Sequence, residues 1–283
     1  MKKDIFAIVI PVYKVKKSEY QSIVDALKGF DYAVVVDDSG SFDLELEEIL
    51  MKNNCHYLFN QQEIGLSESV NIGIEYSIQK GASWVLIFNQ DNSLQNDILS
   101  VYKTYINLHN DCDKIAILAP QYNYDRHPSH NMNGYSNLRY TDLTGSLVNV
   151  MADTTIGGYD KRFFIDGLDT EWCLRAKRKK YRIVRCNEAI VNHHPGETRE
   201  VKIGNRVIYR YGWHSATRYY YQYRAAFLVH KMYHDLYSDM FFFYKILKAI
   251  FLFQNKKLYT KALRMAFRDY KNEYYGVITE RLD

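Results

Sequence analysis

Four cysteines and four prolines in 283 residues are few, and their scarcity excludes several classes of protein. Cys55, Cys112, Cys173 and Cys186 stand far apart, without the paired spacing of a zinc site or the density of a disulfide scaffold. They read as reduced thiols of a cytoplasmic protein. Glycine is also sparse, at 14 residues, and no repeat or low-complexity tract occurs, which sets aside collagen-like and disordered chains. There is no G-x-G-x-x-G and no G-x-x-x-x-G-K-[ST], so a dinucleotide fingerprint and a P-loop are both missing. No apolar run reaches the roughly 20 residues that cross a bilayer. The N-terminal run from Ile5 to Ile10 is short, meets Pro11 and lacks a small-residue cleavage site, so it reads as a strand and not a signal peptide.

What is present is a chain with 47% hydrophobic residues, long enough for one large domain or two smaller ones. Its net charge of +4 conceals an asymmetry. Residues 1–200 carry 22 Lys and Arg against 27 Asp and Glu, a balance of −5, whereas residues 201–283 carry 15 against 6, a balance of +9. Nucleic acid is an unsuitable partner for that basic tail, because no reader motif accompanies the charge. Its company is apolar instead: the stretch MFFFYKILKAIFLFQNKKLY, Met240 to Tyr259, is interrupted by Lys245 and Lys248. Such a segment suits lying on a membrane surface, with a homodimer contact as the competing reading.

Short Val- and Ile-rich runs alternate with segments of helical periodicity. Strands are expected at residues 5–10, 32–36, 56–59, 84–88, 115–118, 145–150 and 181–184. Helices are expected at 18–27, 44–52, 66–79 and 170–180. This alternation predicts an α/β body, residues 1–200, around a mainly parallel sheet flanked by helices. Beyond about residue 200 the pattern reads as a helical, basic, aromatic-rich extension, residues 201–283.

Several strands of the body stop at polar groups. The first runs into Pro11 and Tyr13, the second ends in Asp37 and Asp38, and the fourth ends in Asn89, Gln90 and Asp91. In a parallel sheet these ends share one edge, where ligands bind. Two readings stand for each: Asp and Asn end strands in turns, and carboxylates also hold nucleotides or hard cations such as Mg²⁺. The stretch RYYYQYRAAF, Arg218 to Phe227, is equally open between a sugar-phosphate surface and a packed helix.

Residues Gly157 to Val184, GGYDKRFFIDGLDTEWCLRAKRKKYRIV, closely resemble a signature of the family 2 inverting glycosyltransferases, in particular the bacterial rhamnosyltransferase-like branch. IVIPVYK, VVVDDSG, NQQEIGLSESVNIGI, IFNQDNS and TGSLVNV follow the family's order. The resemblance implies a GT-A fold, a nucleotide-sugar donor and a divalent metal, Mg or Mn. It carries donor contacts onto Pro11, Tyr13, Asp37, Asp38, Gly65, Asn89 and Gln90, and acceptor-side or auxiliary roles onto Glu171 and Gly145. Metal ligands fall on Asp91 and on His193, which matches the pattern better than its neighbour His194. Asn89 departs from the family's usual first carboxylate. Asp169 matches the catalytic base, with helix capping as the plain alternative, and Arg199, Lys202 and Arg206 are placed to close over a diphosphate. The implied activity is transfer of a sugar, rhamnose from dTDP-rhamnose foremost, to a glycan or lipid-linked glycan at the inner face of the cell membrane. Galactofuranose or glucose transfer is the alternative, and a non-catalytic sugar-binding module is the remote one.

Overall fold

A computed structural model describes residues 4–94, 96–126, 128–130, 132–193 and 195–282. The chain opens with β1 (Phe6–Val12), α1 (Tyr20–Ala26), β2 (Tyr32–Asp37), α2 (Leu44–Lys52), β3 (Cys55–Phe59), α3 (Leu66–Gln79) and β4 (Trp84–Ile87). It continues with β5 (Ser93–Leu94), α4 (Ile98–Leu108), β6 (Ile115–Asn123), β7 (Tyr135–Asn137), β8 (Ser146–Asn149), α5 (Val150–Ile156), α6 (Leu168–Arg178) and β9 (Arg182–Asn192). It ends with β10 (Glu197–Ile203), β11 (Arg206–Trp213), α7 (Ala216–Tyr233), α8 (Leu236–Leu252) and α9 (Lys256–Lys271).

The main sheet runs β3-β2-β1-β4-β8-β6-β9-β5, with β7 on the side of β9. Its first four strands are parallel, as are β6 and β9, whereas β8 lies antiparallel between β4 and β6. All seven residues of β1 are buried because both faces of the sheet are covered. Ala7 and Val9 join one core with Val70, Ile74 and Trp172, while Phe6, Ile8 and Ile10 join the other with Ile23, Leu46 and Tyr102. The alternation is the period of two that a strand imposes, and it puts α3, α5 and α6 on one face and α1, α2 and α4 on the other. Side-chain caps fix where several helices start: Asp43 accepts from Leu46 N–H at 3.0 Å before α2, and Asp97 accepts from Ser100 N–H at 3.0 Å before α4.

The expected turn to helix at residue 200 is corrected. That position falls inside β10, which pairs antiparallel with β11, so residues 197–213 form a hairpin and helices resume only at Ala216. A third core joins α7, α8 and α9 through Tyr219, Tyr223, Ala249 and Ala262, and includes Phe164 from the body. The stretch Arg218 to Phe227 is a packed helix: Tyr219, Tyr220, Tyr221 and Tyr223 are buried. Arg224 within it is buried too, donating to the carbonyls of Tyr275 and Gly276 at 2.8 Å each.

Candidate active site

The C-terminal ends of β1, β2 and β4 meet at one edge, as the parallel register requires. Gln90 joins them: its Oε1 accepts from the backbone N–H of Tyr13 at 2.7 Å, and its Nε2 donates to Glu19 at 3.0 Å. Pro11 is buried within β1, and the Tyr13 ring stands at its mouth, donating from its hydroxyl to Glu63 at 3.2 Å. Asp37 accepts from Ser39 N–H at 2.8 Å and from the Tyr57 hydroxyl at 2.5 Å. Asp38 accepts from the backbone N–H groups of Ile64 and Gly65, both at 2.8 Å, and from Asn60 at 3.1 Å. Desolvation raises the Asp38 pKa, against the pull of those donors. The two carboxylates therefore brace this edge from beneath. Gly65, the N-cap of α3, has φ 96°, and a Cβ there would lie 2.6 Å from the Phe164 ring and carbonyl. Gly145, at φ 73°, donates to the carbonyl of Ile87 at 2.7 Å, and a Cβ there would meet Val191 at 2.6 Å. At both positions a glycine lets two segments touch.

Asp91 and His193 are brought together by β5, a two-residue strand. Ser93 and Leu94 pair antiparallel with Asn192 and Val191, which lays the turn after β4 against the end of β9. Between the two candidate ligands sits Asn92, only 3% exposed. Its Nδ2 donates to Asp91 Oδ1 at 2.8 Å, and its Oδ1 lies 2.7 Å from His193 Nδ1. Asp91 Oδ1 accepts that bond, which fixes the amide's orientation. The Asn92 oxygen then only accepts, so His193 Nδ1 carries a proton in this contact. That nitrogen lies 3.8 Å from the Asp142 carboxylate. Asn89 donates from its backbone to Thr144 Oγ1 at 3.1 Å, while its side-chain Oδ1 is buried without a hydrogen-bond partner. Asp91 and His193 are thus linked through one buried amide, and carboxylate and imidazole are both donor types that a divalent cation accepts. Two protein ligands with completion by substrate oxygens and water is how Mg²⁺ is usually held. Among the described residues no cluster of three or more His, Cys, Asp or Glu makes a closed metal cage. His194 lies outside the described residues.

Asp169 lies in the first turn of α6, whose N-cap is Gly167, so it does not cap the helix. Its Oδ1 accepts from the Thr170 N–H at 2.7 Å. A carboxylate in a helix's first turn should acidify. Here burial, followed by the charge of Asp142, pushes the Asp169 carboxyl up to about 7, and Asp166 adds to the rise. Asp166 pairs with Arg218 at 2.7 Å. Glu171 is 0% exposed, takes two bonds from Arg175 at 2.9 and 2.8 Å and one from the Tyr233 hydroxyl at 2.5 Å, and so faces the core, not the crevice.

The C-terminal helices wall the crevice. A cavity of about 190 Å³ is lined by Tyr13, Glu63, Arg218, Tyr221, Ile278 and Arg281, with the Arg281 guanidinium 3.5 Å from the Tyr13 hydroxyl. Lys245 of α8 feels Asp166, Asp169 and Asp142, although burial dominates and lowers its pKa. Sequence reasoning passed over Asn92, Asp142, Lys245 and Arg281. Only Asn92 carried a local signal, as the amide next to Asp91. Arg199, Lys202 and Arg206 lie on the hairpin of β10 and β11, where Arg199 stacks 3.8 Å over Trp213 and Lys202 pairs with Glu200.

A scan against protein-family models gives no match. Among curated proteins, the chain is 28% identical over 254 residues to the dTDP-rhamnosyl transferase RfbF of Shigella flexneri, covering 81% of this chain and 80% of the relative. Among solved structures, TarS 1-349 of S. aureus in complex with UDP-GlcNAc matches with a TM-score of 0.58 at 14% identity, covering 96% of this chain and 89% of that one. GalNAc-T7, solved with UDP, GalNAc and Mn²⁺, matches with a TM-score of 0.61 at 12% identity, covering 96% of this chain and 58% of that one. Identities this low speak for the fold, while the curated relative speaks for the activity. Sheet order and the structural comparisons agree on the GT-A fold, and the curated relative supports glycosyltransferase activity.

Proposed function

We propose that the enzyme transfers rhamnose from dTDP-rhamnose, with inversion, to a glycan acceptor carried on a lipid, in bacterial surface polysaccharide synthesis. The observation that carries this reading is Asp169, a carboxyl lifted to about 7 at the crevice edge of α6. An acceptor hydroxyl is a poor nucleophile until it loses its proton, and a carboxylate of raised basicity takes it as the bond to the anomeric carbon forms. One displacement inverts that carbon, the dTDP leaves, and Asp169 releases the proton to solvent. Asp91 and His193 would hold a Mg²⁺ or Mn²⁺ on the donor diphosphate, where it neutralises the charge gained by the leaving group. Tyr13, Gln90 and the loop braced by Asp37, Asp38 and Gly65 would shape the donor edge, Asn89 would offer its unpartnered oxygen to a sugar hydroxyl or the cation, and Gly145 keeps the acceptor side close-packed.

The choice of dTDP-rhamnose rests on the Shigella relative's name. A galactofuranosyl or glucosyl donor would use the same machinery. No helix among the described residues is long and apolar enough to cross a membrane, and the proposed station is the cytoplasmic face, by peripheral contact. Titration of a panel of dTDP- and UDP-sugars with and without Mn²⁺ tests the reading. dTDP-rhamnose should bind most tightly and only with the cation. Preference for a UDP-sugar would replace the donor, and no binding of any would remove the function.

A further inference from the structure

The tail carries an apolar surface with nothing over it. Along α8, Leu236, Met240, Phe243, Leu247 and Phe251 recur every three or four residues and fall on one face. Leu236 is 72% exposed, Phe243 60% and Phe251 72%. Tyr237, Phe241 and Tyr244 widen the stripe along its flank, also exposed. The hairpin extends it: the Tyr209 hydroxyl lies 2.7 Å from that of Tyr244, and Ile203 near the hairpin tip is 70% exposed, with Ile208 exposed beside it. A folded soluble chain rarely leaves so many large apolar side chains on one surface without a partner.

We infer that this face of α8, with the apolar residues of the β10–β11 hairpin, docks on an anionic lipid surface, and that the docking sets the catalytic crevice beside the membrane. Charge selects the occupant. Residues 201–283 balance to +9, and exposed cations lie on the hairpin and just past the end of α8: Arg206, Lys256 and Lys257, with Arg210 paired to Glu200. An anionic bilayer satisfies both features, since apolar side chains enter the interface while basic ones meet headgroups. A second copy of the chain satisfies only the first, because it would bring two strongly basic tails face to face.

The crevice follows from the other side of the same helix. Lys245 and Ala249 point inward, with Ala249 in the third core and Lys245 within electrostatic reach of Asp166 and Asp169. Lys248 donates to the Gly212 carbonyl at 2.9 Å, tying helix and hairpin together. The helix, about 10 Å across, thus lies between the apolar stripe and Lys245, which faces the base across the crevice. An acceptor anchored in the bilayer has that short distance to travel, so the purpose of the face, though not its physics, rests on the proposed lipid-linked acceptor.

The test uses the full chain and vesicles of phosphatidylcholine with or without phosphatidylglycerol. The protein should co-sediment with the anionic vesicles and be released by salt. Phe243→Glu with Phe251→Glu should weaken that binding by about tenfold or more, with circular dichroism and donor binding in solution unchanged. Equal sedimentation of wild type and variant overturns the inference. So does a wild type that stays in the supernatant, or one that forms dimers which the double variant dissolves. Donor binding is read separately: vesicle binding without it leaves the docking face standing and removes the transferase reading.

Discussion

Asp169→Asn should stabilise the fold while abolishing transfer. The carboxyl rises from an ordinary value of 3.8 to about 7 in the folded chain, so the native state binds a proton more tightly than the unfolded state. The sign follows by linkage. Well below pH 3.8 both states are protonated and Asp169 costs nothing. As pH climbs through 3.8 toward 7 the unfolded chain gives up its proton first, and native stability falls. Each tenfold gain in proton affinity corresponds to about 1.4 kcal/mol, so a gain of roughly a thousandfold bounds the cost near 4 kcal/mol above pH 7. Water in the crevice screens part of this, which leaves an expected range of about 2–4 kcal/mol. Asparagine has no charge to desolvate and recovers that amount. Denaturant unfolding at pH 5 and pH 8 measures it: the variant's advantage should be clear at pH 8 and shrink toward pH 5. Transfer should drop by about 10²–10⁴, the usual worth of a general base, and the wild-type rate should rise with pH through about 7. An Asn variant no more stable than wild type at pH 8 would refute the burial argument. Retained activity would refute the role.

Asn92→Leu keeps the side chain's bulk but removes both bonds that orient Asp91 and His193. Mn²⁺ affinity in the presence of dTDP, read by calorimetry, should fall by about 10–100-fold, as losses of ligand-orienting partners do; unchanged affinity would show the relay to be idle. Glu171→Gln leaves Arg175 without its carboxylate in a buried network. Breaking such a pair costs about 3–5 kcal/mol, so the denaturant midpoint should fall sharply while the surviving folded enzyme keeps its KM for donor. A large KM change with normal stability would move Glu171 into the binding site.

Much of the fold was legible because its signals are local. α2 and α3 begin and end where apolar periodicity and capping place them, at residues 44–52 and 66–79. The polar ends of β1, β2 and β4 were visible as sudden stops in apolar runs. The hairpin at residues 197–213 was misread although it too had a signal. Val201 and Ile203 alternate with Glu200 and Lys202, Val207-Ile208-Tyr209 is a short β-prone run between Arg206 and Arg210, and Gly204-Asn205 makes the tight turn between them. The surrounding basic, aromatic composition drew that alternation toward helix. Other features had no local signal. His193 meets Asn92 across 101 residues, and Lys245 reaches the base's surroundings only because α8 packs over the crevice. Residues that act through tertiary contact leave no spacing to count.

β5 holds only two residues, Ser93 and Leu94, yet it decides whether Asp91 and His193 can act as a pair. A strand exchanges faces with every residue of slippage. Adding one residue between Asp91 and Ser93 would turn the Asn92 amide away from the imidazole, and deleting Asn92 would remove it, so either change parts Asp91 from His193 without touching them. Length there is therefore as much a part of the chemistry as identity. The cavity around Tyr13 and Arg281 can vary without disturbing this link, but the two-residue clasp has no freedom to lengthen or shorten.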